Sequence, residues 1–184
     1  MIAAGYMAKW IQRAPAWMDA PRVSDIYSVS PCISADFMDF IEFWQHNGFW
    51  LFDTPETICR IAAQQRIDLS RTTLFYYELY ERQYNEQRAA WEPFRPEPAF
   101  RLDVQRPGSP YRVGFDIASF SAGTRPECSP LSCNGLAGRV ETNSHCLLPS
   151  LEAARQLLGS GSLVHTEPGP FRIFAVYTAA WPQG

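Results

Sequence analysis

Short apolar runs alternate along the chain with polar, turn-rich stretches. WLFDTPETICRIA (residues 50–62) moves from an apolar run to Thr54, then to an acid at Glu56 and apolar residues at Ile58, Ile61 and Ala62. That spacing of i, i+3 and i+4 is one face of a helix, entered through a hydroxyl cap. CLLPSLEAARQLL (146–158) keeps the same order, with Ser150 for Thr54, Glu152 for Glu56, and Ala154, Leu157 and Leu158 on the apolar face. A hydroxyl cap contributes about 1 kcal/mol, and an acid in the first turn complements the helix dipole. Each stretch is predicted to be a strand running into a helix.

Two further pairs of segments look alike. DIYSVS (25–30) and DIASFS (116–121) share Asp-Ile and two serines, and TTLFYYELY (72–80) resembles FRIFAVYTA (171–179) in pattern. Between the first strands and the second, Ser34 is read as the cap of a helix carrying Phe37, Phe40, Ile41 and Trp44. Its counterpart near Leu131 to Val140 is interrupted by Gly135 and Gly138. The pattern predicts an α/β fold in a single domain, with an internal duplication of two β-α-β-α-β units (24–80 and 111–180) in one mixed or parallel sheet. A connector over 81–110 would hold a β-hairpin, within ELYERQYNEQRAAWEPF, and the proline-rich PFRPEPAF. Tyr6, Met7, Trp10 and Ile11 share a helical face, so residues 1–23 are expected to form an N-terminal helical arm across the core.

Composition narrows the function classes. With 184 residues and 46% hydrophobic content, the chain can bury a core without metal or disulfide support. The net charge is -3, and every basic residue except Lys9 is an arginine, spread along the chain. No basic stripe is available to track a phosphate backbone, so no nucleic acid is expected. No apolar run approaches the ~20 residues of a membrane span, and the first residues lack a leader pattern, so no membrane partner is expected. Five scattered cysteines, an odd number, fit a reducing, cytoplasmic setting. From Ser24 to Cys59 there are six acids and no Lys or Arg. Asp36, Asp39 and Glu42 on that acidic face are the candidate contacts for a protein partner with a basic surface.

The chemistry centres on TRPECSPLSCNGLAG (124–138). Signatures for P-loop ATPases, zinc proteases and serine hydrolases are absent. Cys128, Cys133, His145 and Cys146 have zinc-like spacing, but His145 and Cys146 are adjacent and would point to opposite faces of a strand. The predicted strand order also separates them from Cys128, so neither a metal nor another cofactor is expected. By the same order His46, His145 and His165 fall at the opposite edge from Cys128. The carboxyl edge of the predicted sheet gathers Ser30, Cys32, Ser121, Thr124, Arg125, Ser129 and Asn134 as candidates for a small polar or anionic ligand. The expected function is a binding protein of inhibitor or immunity type, acting through its acidic surface. The alternative is an enzyme with Cys128 as its thiol and Asp53 or Glu127 as polar partner.

Overall fold

The opening MIAAGYMAKW is a strand. In a computed structural model, which describes residues 1–42, 46–94, 103–121, 123 and 125–183, strand β1 runs over Ile2–Trp10 and is buried from Ala4 to Lys9. A strand covered on both faces loses its apolar–polar alternation, which is why this one resembles a helix by spacing. The remaining elements are β2 (Ala35–Asp36), α1 (Pro55–Gln65), β3 (Thr73–Asn85), β4 (Ala90–Pro93), β5 (Tyr111–Ser119), α2 (Leu151–Gly159) and β6 (Phe171–Thr178). The strands form one sheet in the order β2-β1-β3-β6-β5, with β4 pairing on β3.

Every pairing in that sheet is antiparallel. The expected α/β fold, with two β-α-β-α-β units in a parallel or mixed sheet, is therefore overturned. So is the helical arm. DIYSVS is the main source of the error. Its Ile26 and Val29 are buried, as a strand's would be, but its backbone bonds to loops: Ile26 N–H to Gln12 O at 3.0 Å and Tyr27 N–H to His145 O at 3.2 Å. DIASFS, by contrast, begins inside β5. The helix expected after Ser34 is one short 3-10 turn, Phe37–Phe40; Trp44 lies outside the described residues, as does the proline-rich 95–102.

Two strands of the sheet, β1 and β5, share a corner. β1 bulges before Gly5, and Tyr6 exchanges backbone bonds with Phe52 (2.7 and 3.0 Å). β5 bulges before Gly114, and Phe115 exchanges bonds with Leu148 (2.9 and 2.8 Å). Asn47 and Asn143 each donate from the side-chain amide to the strand carbonyl just before the glycine, at 2.8 and 2.7 Å. Gly5 has φ 135°, and a Cβ there would lie 2.7 Å from Phe52 O, so only glycine fits. After each corner a capped helix begins. Thr54 Oγ1 accepts from Thr57 N–H (3.3 Å) ahead of α1, and Ser150 Oγ from Ala153 N–H (3.0 Å) ahead of α2.

The apolar faces of these helices feed two core clusters. Ile58 and Ala62 join Tyr6, Phe52 and Phe75 in one, and Leu157 and Leu158 join Ile117, Phe171 and Ile173 in the other. No helix among the described residues is long and apolar enough to cross a membrane.

Candidate metal centre

Two long connections meet over the ends of β1 and β5. One is the segment 28–36 that leads into β2; the other is 119–134, which follows β5. Both are anchored by charges placed in the buried parts of strands. Asp116 of β5 is fully buried and accepts four hydrogen bonds. Oδ2 takes Ser28 Oγ–H (2.7 Å) and Val29 N–H (2.8 Å), while Oδ1 takes Ser129 Oγ–H (2.6 Å) and Ile117 N–H (2.8 Å). One carboxylate thus ties both connections to the sheet. Burial raises its pKa despite these donors.

Lys9 of β1 anchors the other end of the 28–36 segment. Its ammonium is 0% exposed, pairs with Asp36 Oδ1 at 2.9 Å, and donates to Ser30 O (3.0 Å) and Ser34 Oγ (3.3 Å). Burial lifts the Asp36 carboxyl to about 6, with Lys9 pulling the other way. Between the two anchors, Ser30 Oγ–H donates to Glu127 O at 2.6 Å and stitches the connections together.

Three thiols converge at that stitch. Cys32 Sγ lies 3.0 Å from Cys128 Sγ, and the sulfurs of Cys32, Cys128 and Cys133 all lie within 4.8 Å of one another. The turn that brings Cys133 back is closed by Cys133 N–H to Ser129 O at 2.8 Å. Three thiolates on a common zinc-sized ion, each ~2.3 Å from it, would stand roughly 3.8 Å apart, so the group fits such an ion after small adjustments. Without an ion the thiols compete for one negative charge. Hydrogen bonding from Cys133, partly offset by burial and helped by Cys128 and Ser30, brings Cys32 down to about 6. Burial, together with the Cys32 charge, raises Cys128 to about 12, and hydrogen bonding to Cys32 raises Cys133 far above the ordinary range.

The other sequence candidates are spread more widely. Ser30 and Ser129 belong to the anchoring network described above. The Glu127 carboxylate binds the N–H and hydroxyl of exposed Ser121, while its carbonyl faces Ser30 and Cys32. Exposed Arg125 sits over the Trp50 ring, 5.7 Å from its centroid. Asn134 is exposed beside Trp17 and Asp19, and Thr124 lies outside the described residues. Asp53 belongs to the first corner, where Asn47 donates to it at 2.8 Å. On the acidic segment, Asp39 and Glu42 are exposed, but Asp36 is spent internally on Lys9. His145 pairs with Asp25 and stacks on Tyr27, and Cys146 is buried in the second core cluster.

Sequence reasoning passed over Lys9 and Asp116. Both carried a signal, since each is a lone charge in a mostly apolar stretch, GYMAKW and GFDIAS. A charge there must be answered by a partner, and at both positions the partners are the thiol-bearing connections. No protein-family model, curated protein or solved structure matches the chain, so the chemistry of the site rests on its own residues.

Proposed function

We propose that this protein binds a thiophilic metal ion of the zinc class through Cys32, Cys128 and Cys133. The observation that carries the proposal is the convergence of three sulfurs within 4.8 Å from two connections anchored independently of any ion. Three soft donors in reach of one point favour zinc, copper(I) or cadmium over hard ions such as magnesium or calcium. Because Asp116 and Lys9 hold the connections and two apolar clusters hold the sheet, the ion is not needed for folding. That argues for reversible binding, with exposed Cys32 as the point of entry. Free thiols of this kind require a reducing compartment, which makes the cytoplasm the proposed setting.

The test is titration of the reduced protein with cobalt(II), then displacement by zinc(II). Sulfur-to-cobalt charge-transfer absorption should appear at one equivalent and vanish in a variant with all three cysteines changed to serine. Absence of that absorption in the wild-type chain would sink the proposal. The metal-free protein should stay folded in chelator, with its melting temperature rising when ion is added.

A second reading follows from the charge on Cys32, an exposed thiol lowered to about 6. As a nucleophile it would act at neutral pH, with Cys128 and Cys133 donating to its thiolate. Alkylation by iodoacetamide separates the two readings. If zinc fails to protect Cys32 from alkylation, the nucleophile reading gains and the metal reading loses.

A further inference from the structure

The cluster carries a second chemistry that needs no ion. Cys32 Sγ and Cys128 Sγ stand 3.0 Å apart, roughly 1 Å beyond the ~2.05 Å of a disulfide bond. Both backbones are held in place by bonds that involve neither sulfur. Cys128 is fixed to the end of β5: its carbonyl accepts from Ser119 N–H (2.8 Å), its N–H donates to Ser119 Oγ (3.3 Å), and Glu127 N–H donates to Ser119 O (3.0 Å). Cys32 N–H donates to Ser30 Oγ (3.2 Å), and that hydroxyl donates in turn to Glu127 O. The fold itself therefore brings the two sulfurs into contact, and a small rotation of the side chains completes the approach. Access differs among the three thiols. Cys32 is exposed and Cys128 is half-buried, while Cys133 follows the buried run 129–132, with the hydroxyls of Ser30 and Ser132 at 3.7 and 3.8 Å from its sulfur. An accessible thiol beside a second one is the arrangement of a redox-sensing pair.

We propose that Cys32 and Cys128 form a reversible disulfide in response to hydroperoxides, with Cys32 attacking and Cys128 resolving. The Cys32 sulfur attacks the terminal peroxide oxygen. An S–O bond forms as the O–O bond breaks, and the alcohol, or water from hydrogen peroxide itself, leaves with the thiol proton. Cys32 is then a sulfenic acid, oxidised by the two electrons that reduced the peroxide. The Cys128 sulfur attacks the Cys32 sulfur next. The S–S bond forms as the S–O bond breaks, and hydroxide leaves with the Cys128 proton as water. Two thiols and one hydroperoxide thus give one disulfide, one alcohol and one water. Exposure of Cys32 leaves the bond open to a small thiol, which reverses it by exchange. The disulfide stands on geometry alone. Its consequence for an ion rests on the metal reading of the thiols: two of the three sulfur donors are lost, so oxidation releases the ion.

The experiment treats the full reduced, metal-free chain with one equivalent of hydrogen peroxide and maps its peptides by mass spectrometry. The expected product has lost two hydrogens and joins Cys32 to Cys128, with Cys59 and Cys146 still free. Cys128→Ser should strand the sulfenic acid on Cys32, raising its trapping by dimedone at least about 10-fold over the wild type. Cys133→Ser should still form the bond. Because the bond would span 96 residues, the oxidised chain should melt higher than the reduced one. A main product joining Cys133 to either partner, or a wild-type Cys32 left unpaired, would overturn the assignment, and that mapping needs no variant to fold. A lower melting temperature on oxidation would also count against it, by showing that the fold resists the bond. In the zinc-loaded chain the same treatment should release the ion, and dithiothreitol should restore binding. Zinc retained after the disulfide has formed would overturn the release. A reduced chain that never binds zinc would sink the metal reading and leave the disulfide standing.

Discussion

Asp36 and Asp116 are both buried carboxylates, both pushed upward in pKa by burial, and both hold the same thiol-bearing segment. They are answered in different ways. Asp36 faces a full positive charge, the Lys9 ammonium at 2.9 Å, with Ser34 sharing the contact. Asp116 faces four neutral donors, two from hydroxyls and two from backbone N–H groups. The ion pair is a two-body arrangement in which either partner alone is a liability. The hydrogen-bonded carboxylate is a junction, fixing the position of two connections at once. The first kind of anchor can be exchanged for uncharged residues, while the second cannot be exchanged without moving the thiols.

The largest effect should come from breaking the pair on one side. Lys9→Met leaves Asp36 buried without its cation, and loss of one partner of a buried ion pair costs about 3–5 kcal/mol. Adding Asp36→Asn removes the stranded charge and should restore most of that loss, with the remainder reflecting the lost bonds from Lys9 to Ser30 O and Ser34 Oγ. Urea unfolding of the single and double variants measures both. A single variant as stable as the double would show that no charge had been stranded.

Proton linkage gives the next test. Asp36 moves from 3.8 in its ordinary state to about 6 in the fold, so between those values the folded chain holds more protons than the unfolded one. Its contribution to stability is then fully present below pH 4 and is lost as pH rises through 6. At about 1.4 kcal/mol per pKa unit the loss is up to about 3 kcal/mol. Asp116, raised in the same direction, adds to it from the same lower limit. The stability difference between wild type and Lys9→Met/Asp36→Asn should therefore move against the wild type from pH 4 to pH 6. A difference that stays flat over that window would mean that Asp36 is ionised throughout.

Asp116→Asn should cost about 2–4 kcal/mol. Either orientation of the amide turns an NH2 toward two of the four donors, and each buried donor left without an acceptor costs about 1–3 kcal/mol. Loss of the buried charge offsets part of this. The variant should also loosen both connections and weaken zinc binding, whereas Lys9→Met/Asp36→Asn should retain it. Equal zinc affinity in the two variants would erase the distinction between junction and pair.

These anchors also mark the limit of what the sequence revealed. The caps at Thr54 and Ser150 and the apolar faces of α1 and α2 were legible, because capping and helical spacing are local properties. The direction of the strands was not. Antiparallel pairing of β3 with both β1 and β6 is decided by contacts far apart in the chain, and the doubly covered β1 hid its own period. At the site, Cys32 and Cys128 could be named as loop residues, but the spacing of Cys128, Cys133, His145 and Cys146 set Cys133 beside two residues that do not join the sulfur cluster. The third sulfur partner arrives from 96 residues away, across a junction made by Asp116. A search for lone charges in short apolar stretches such as GYMAKW and GFDIAS would have found Lys9 and Asp116 first.

The smallest effects compare the hydroxyls that serve each anchor. Ser129 Oγ–H donates to Asp116 Oδ1 at 2.6 Å, and the donors given for this carboxylate are all neutral. A hydrogen bond to a charged group contributes about 1.5–3 kcal/mol, so Ser129→Ala should cost about 1.5 kcal/mol. Ser34 Oγ contacts both Lys9 and Asp36 at longer distances, 3.3 and 3.4 Å, and those two charges still satisfy each other without it. Ser34→Ala should cost only about 0.5–1 kcal/mol. Thermal unfolding resolves the difference. A larger loss for Ser34→Ala would mean that the Lys9–Asp36 pair depends on its hydroxyl as Asp116 depends on its own, and that the two anchors are of one kind.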